Sequence, residues 1–142
     1  MNPVRLRPHH LLCLQTYVGE GYNAAFVAGY DRIVARIAAG TEILIVEGPD
    51  DLCAPLLGDA AAHCYRPSVT ERDRLAGRDV GLVLGREVAP GIRLQLSAPD
   101  WRRLRAAFLD GATRAACSGC RWSGLCSSIA ASGFDGTRLP GR

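Results

Sequence analysis

The chain has 142 residues, 48% of them apolar and 22% charged, and 17 arginines with no lysine against 14 acids give a net charge of +3. That length suits one domain with a core large enough to fold without staples, and the composition excludes a chain disordered over most of its length. The charge is too mild and too evenly mixed to mark a dedicated nucleic-acid binder, and no stretch approaches the ~20 apolar residues of a membrane span.

From the N-terminus, MNPVRLRPHH lacks the apolar run of a secretory signal, so a cytoplasmic location is expected. Pro8 suits the first turn of a helix, and Leu11, Leu14 and Val18 in HHLLCLQTYV repeat at helical spacing until Gly19 and Gly21 stop it. Asn23 is a plausible N-cap for AAFVAGYDRIVARIAA. Phe26, Tyr30, Ile33, Val34 and Ile37 form its apolar face and Gly40 its terminator. Residues 42–47, EILIVE, read as a short strand that GPDD turns.

Residues 53–67 read as an irregular loop carrying Cys53, His63 and Cys64. Ser68 and Glu71 fit a capping box for a helix over about 69–76, and a further short helix is expected over Asp79–Leu84. IRLQL, 92–96, alternates and can pair with the first strand. Ser97, Pro99 and Asp100 announce a helix that turns Trp101, Leu104 and Phe108 inward and leaves Arg102, Arg103 and Arg105 mostly to water. A cysteine-rich segment, a short helix through Ala131 and a glycine-rich tail, 134–142, expected to fray, complete the chain. The expected fold is mainly α: a compact helical single domain, 1–142, with at most a small two-stranded β element and cysteine-bearing loops.

In a reducing compartment, cysteines serve more often as ligands or redox groups than as disulfides. Within CSGCRWSGLC, Cys117 and Cys120 form a C-x2-C that can turn two thiolates toward one point. Cys126 is far enough along for the chain to arc back, with Gly119 and Gly124 to ease the bend and Trp122 to roof the site. A tetrahedral ion or a cubane cluster then lacks one corner. Cys13, Cys53, Cys64 or a histidine must fill it.

The spacing alone leaves iron–sulfur and zinc nearly level, with a dithiol pair behind both, because no βαβ context surrounds the motif. Asp50 and Asp51 read as turn or helix caps before they read as paired acids for proton transfer. His9 and His10 lie four and three residues before Cys13, so either can share its helix face and hydrogen-bond a cluster sulfur. From spacing alone, the reading in which one of them caps a buried carbonyl while Cys13 packs in the core is somewhat ahead.

LRPHHLLCLQTYVGEGYNAAFV, GPDDLCAP with AHC, and the pattern C-x2-C-x-W-x3-C filled by Cys117, Cys120, Trp122 and Cys126 resemble a prokaryotic family catalogued as domain of unknown function 1284. The resemblance runs from about Arg5 to about Gly133. It implies iron–sulfur binding and supplies no reaction. Some relatives carry additional cysteines just after the position of Cys53, where Ala54 and Pro55 stand here.

The expectation is therefore an iron–sulfur protein, with a [4Fe–4S] cluster favoured, acting in electron transfer or redox sensing with a redox partner protein. Cys117, Cys120 and Cys126 are its ligands, Cys64 or Cys53 closes the set, and His9, His10 and Cys13 stand in the second shell. A zinc-structured interaction module and a thiol redox protein are the alternatives. No GxGxxG, P-loop, HExxH or nucleophile elbow points to a catalysed reaction.

Overall fold

A computed structural model describes residues 2–19, 24–48, 50–52, 67–118, 120 and 123–139, with the backbone alone at 67–69. The elements run β1 (Val4–Leu6), α1 (His10–Cys13), α2 (Ala24–Ala38), β2 (Ile43–Ile45), α3 (Pro67–Leu84), β3 (Arg93–Leu94), α4 (Ala98–Asp110) and α5 (Ser123–Ala131). Two 3-10 turns, Leu14–Thr16 and Ala115–Cys117, follow α1 and precede α5. The fold is mainly α, with one small mixed sheet in the order β1-β2-β3.

The sheet has three strands rather than two. β1 pairs parallel with β2, Val4 opposite Ile43 and Leu6 opposite Ile45, while β2 pairs antiparallel with β3 through Ile43 and Leu94. Val4, Leu6, Ile43 and Ile45 are fully buried. A parallel pair needs a crossover, and α1 and α2 supply it. As a result the chain leaves β1 straight into RPHHLLC, at the same end of the sheet where it leaves β2 toward Asp50.

α2 buries the apolar face read from its periodicity, Phe26, Tyr30, Ile33, Val34 and Ile37. It ends at Gly40, where φ is +95°. There Thr41 N–H donates to the Arg36 carbonyl at 3.0 Å, closing the last turn. α4 starts as its sequence announces. The Ser97 side chain accepts from Asp100 N–H, the Asp100 carboxylate accepts from Ser97 N–H, and Trp101, Leu104 and Phe108 are buried.

The two short helices expected over 69–76 and 79–84 are one continuous helix, α3. It begins at Pro67, so Ser68 is inside it rather than at its cap, and Glu71 pairs with Arg74. Two of its glycines admit the returning chain. A Cβ on Gly77 would stand 2.7 Å from the Val88 carbonyl oxygen, and one on Gly81 2.9 Å from that of Arg86. Gly77→Ala is expected to destabilise the protein by ~1–3 kcal/mol, because the clash is with backbone. Gly124→Ala, in α5 with nothing within 4 Å of its Cβ, is expected to stabilise it by ~0.5–1 kcal/mol. Urea-unfolding midpoints of the two variants check both signs.

One further expectation changes. Arg105 does not face water: it is 2% exposed. Its guanidinium donates to the carbonyls of Gln15 and Leu139, each at 2.9 Å, and to Thr137 Oγ1 at 3.2 Å. Residues 134–139 pack against the core. Phe134 and Leu139 are buried, Phe134 meets the Phe108 ring edge-on, and Arg138 N–H donates to the Tyr17 carbonyl.

Candidate functional site: a thiol corner beside two histidine–aspartate pairs

The cysteine segment is wound by local turns. Cys117 N–H donates to the Arg114 carbonyl at 2.9 Å, Cys120 N–H to the Cys117 carbonyl at 3.0 Å, and Ser123 N–H to the Cys120 carbonyl at 3.1 Å. Each turn reverses the chain, so Cys117 and Cys120 stay together before α5 starts. Arg114 clamps the arrangement. Its guanidinium lies 4.3 Å over the Phe108 ring and donates to the Ser123 carbonyl and hydroxyl and to Ser127 Oγ. α5 then carries Cys126 back against the core, where Thr16 Oγ1 donates to its sulfur at 3.1 Å.

That hydrogen bond also ties Cys126 to the turn that follows Cys13. Burial pushes the Cys13 thiol well above its usual range. The nearby sulfurs of Cys126, Cys120 and Cys117 add to this in that order, and Asp50 adds last. Burial likewise raises Cys126; the Thr16 hydroxyl opposes the shift and Cys117 and Cys120 reinforce it. Four thiols from positions over a hundred residues apart therefore share one electrostatic neighbourhood, all part-buried. Among the described residues no three His, Cys, Asp or Glu side chains are drawn to a single metal-ion point.

Two tyrosines wall this neighbourhood. The rings of Tyr17 and Tyr30 stack at 3.8 Å and 8°. Burial pushes the Tyr30 hydroxyl far up, with Cys13, Asp50, Cys126 and Tyr17 adding to it, and that hydroxyl has no hydrogen-bond partner among the described residues. Tyr17 donates to Asp31 at 2.9 Å.

Each histidine uses Nδ1 on a carboxylate. His9 Nδ1 donates to Asp73 at 2.7 Å and His10 Nδ1 to Asp50 at 2.6 Å. Buried Arg7 donates from Nε to the other Asp73 oxygen at 2.9 Å. Asp50 caps as its sequence position implies, accepting from the backbone N–H of Arg7 and Leu52, while Asp51 accepts from that of Arg5. Burial lowers His9 to about 4, helped by His10 and opposed by its bond to Asp73. Asp73 feels burial upward, but His9 and Arg7 together hold it below the usual carboxylate range.

Of the residues singled out by sequence, the structure gathers Cys13, Cys117, Cys120 and Cys126, and sets His9 and His10 alongside. Cys53, Cys64, His63 and Trp122 lie outside the described residues. Sequence reasoning missed Asp73, Arg7, Thr16 and Tyr30. Only Tyr30 had any signal, as part of the apolar stripe of α2.

Fold and site together define a small, mainly helical protein whose four described cysteines share one electrostatic neighbourhood beside two histidine–aspartate pairs. A family model described as protein of unknown function (DUF1284) matches residues 21–126, and the chain belongs to that family. Cys117, Cys120 and Cys126 fall inside the matched span; His9, His10 and Cys13 precede it. No curated protein and no solved structure matches the chain. No helix among the described residues is long and apolar enough to cross a membrane.

Proposed function

We propose that the chain holds an iron–sulfur cluster on Cys117, Cys120 and Cys126 with Cys13 as the fourth ligand, and serves electron transfer or redox sensing with a partner protein in the cytoplasm. The observation that supports this reading is that the ionised forms of four sulfurs from the two ends of the chain act on one another. Left as thiols, they repel one another's ionised forms in a part-buried place. A cationic centre converts that repulsion into ligation, and soft sulfur donors suit iron–sulfur centres.

The residues around the sulfurs fit the same reading. Thr16 donates to Cys126, and Tyr30 brings an unpartnered buried hydroxyl to the neighbourhood of Cys13 and Cys126. Donors to cluster sulfurs raise the reduction potential and exclude water. When bound, the cluster supplies one-electron chemistry. The chain's own part is to hold it, to set its potential through Thr16 and Tyr30, and to tie α5 to α1. Ligation of that kind contributes to folding.

Anaerobic purification followed by iron, sulfide and zinc analysis tests the reading. Brown protein with iron and acid-labile sulfide is expected. The colour is expected to be lost in Cys117→Ser, Cys120→Ser, Cys126→Ser and Cys13→Ser, and kept in Cys53→Ser and Cys64→Ser. Retention in Cys13→Ser with loss in Cys64→Ser moves the fourth ligand to the mid-chain loop. Colourless protein with stoichiometric zinc replaces the reading with a zinc module. Two thiols that cycle reversibly without metal replace it with a dithiol redox protein.

A further inference from the structure

We propose that the Nε2 atoms of His9 and His10 form a site for a divalent transition-metal ion, separate from the cysteine corner and open to water or a small ligand. Both rings are anchored through Nδ1, His9 on Asp73 at 2.7 Å and His10 on Asp50 at 2.6 Å. With Nδ1–H committed to a carboxylate, each neutral imidazole presents Nε2 as a lone pair in a fixed direction. A carboxylate behind the ring is the arrangement that orients a ligating histidine and raises its basicity.

The rings are neighbours, with centroids 4.4 Å apart and planes at 59°. Neither Nε2 has a hydrogen-bond partner among the described residues, and neither ring is sealed off, the side chains being 16% and 14% exposed. Two lone pairs, each on a ring backed by a carboxylate, recruit a cation, and imidazole nitrogen selects zinc, cobalt, nickel, copper or iron(II) over calcium or magnesium.

Position supports the same conclusion. His9 and His10 follow the carboxyl end of β1 and Asp50 follows that of the parallel strand β2. The crevice beyond the carboxyl ends of parallel strands is where open α/β sheets bind their ligands. A mere tether between α1 and α3 does not need imidazole, since an asparagine amide reaches a carboxylate equally well. What imidazole adds is the second nitrogen. No third His, Cys, Asp or Glu among the described residues completes a set.

Cobalt(II) titration of the intact protein under anaerobic conditions at neutral pH tests this independently of the cluster. Bound at the histidines, cobalt gives hyperfine-shifted imidazole N–H proton signals that vanish in deuterium oxide. Bound at the cysteines, it gives sulfur-to-cobalt charge transfer and shifted non-exchanging Cβ protons. The exchangeable signals are expected in the wild type and in Cys117→Ser. His9→Asn and His10→Asn, which keep a donor for the carboxylate and remove Nε2, are expected to weaken the cobalt that gives those signals at least tenfold, and Asp73→Asn roughly 10–100-fold.

Cobalt that gives only cysteine signals overturns the proposal, as does histidine-type binding unchanged in His9→Asn. The wild-type spectrum decides the first point without any variant having to fold. Loss of the iron–sulfur reading leaves the histidine result standing, and the reverse also holds.

Discussion

Arg105→Ala is expected to destabilise the protein by ~3–5 kcal/mol, the range for removing one partner from a buried, charge-bearing hydrogen-bond network. The guanidinium is 2% exposed and bridges the turn after α1 to the 137–139 segment, which also meet where Arg138 N–H donates to the Tyr17 carbonyl. It donates twice to the Gln15 carbonyl, from Nε at 3.1 Å and Nη2 at 2.9 Å, and reaches Thr137 and the Leu139 carbonyl on the far side. Alanine leaves two buried carbonyls without this donor and opens a void beside Phe134, whose ring lies 5.3 Å from the guanidinium carbon.

Arg105→Met separates the contributions. It keeps the aliphatic stem packed and removes every donor, so a loss close to that of alanine assigns the effect to hydrogen bonding rather than volume. Gln15 lies between Cys13 and Thr16, so the same substitution loosens the turn that presents both to Cys126. Faster proteolysis of the 133–139 segment is expected alongside the stability loss. A urea-derived loss below ~1 kcal/mol for alanine is incompatible with the network as described.

Much of the scaffold was legible because its signals are local. The stripe of α2 and the Ser97–Asp100 box of α4 each sit within a few turns of chain, and both appear as read. The turns of the C-x2-C segment are local too. Arg105 was legible and was misread: it is four residues after Trp101 and three before Phe108, hence on their face, but charge outweighed position. β1 was not legible, because three residues between two prolines are too few to show alternation. In sequence α3 reads as two short helices, and the close approach of the 86–88 segment that Gly77 and Gly81 admit has no local signal.

The site was legible only in its local half. Spacing identifies Cys117, Cys120 and Cys126, but the partner of Cys126 at Thr16 lies 110 residues away. The partners of His9 and His10 lie 64 and 40 residues away. One sequence has no signal for which distant aspartate meets which histidine. For His10 and Asp50 the register of the parallel β1–β2 pair makes that choice, since it brings the chain after Leu6 beside the chain after Ile45, while His9 meets Asp73 because α3 packs against α1.

That choice has a consequence in acid. Metal-free protein is expected to lose about 3 kcal/mol of stability as the pH falls from 6.5 to about 4, through His9 alone. Burial lowers the folded-state value of His9 from 6.5 to about 4, so between those limits the unfolded chain takes up a proton that the folded chain refuses. Stability therefore rises with pH across that window, is complete above it, and is lost as the pH falls. Asp73 acts next in the same direction. Its folded value is held below 3.8, so its contribution is present above 3.8 and disappears as the pH drops through that lower value.

His9→Asn isolates the first step. The amide keeps a donor for Asp73 and does not titrate, so the slope between pH 4 and 6.5 is expected to flatten while stability at pH 7 changes far less. Urea midpoints for wild type and variant at half-unit pH steps measure it. A variant that retains the full wild-type slope removes His9 as the source. A metal ion on the histidines steepens the wild-type loss, because protons then compete with the ion for the same nitrogens. Repeating the series with and without cobalt thus reads the burial of His9 and its proposed ligation from one curve.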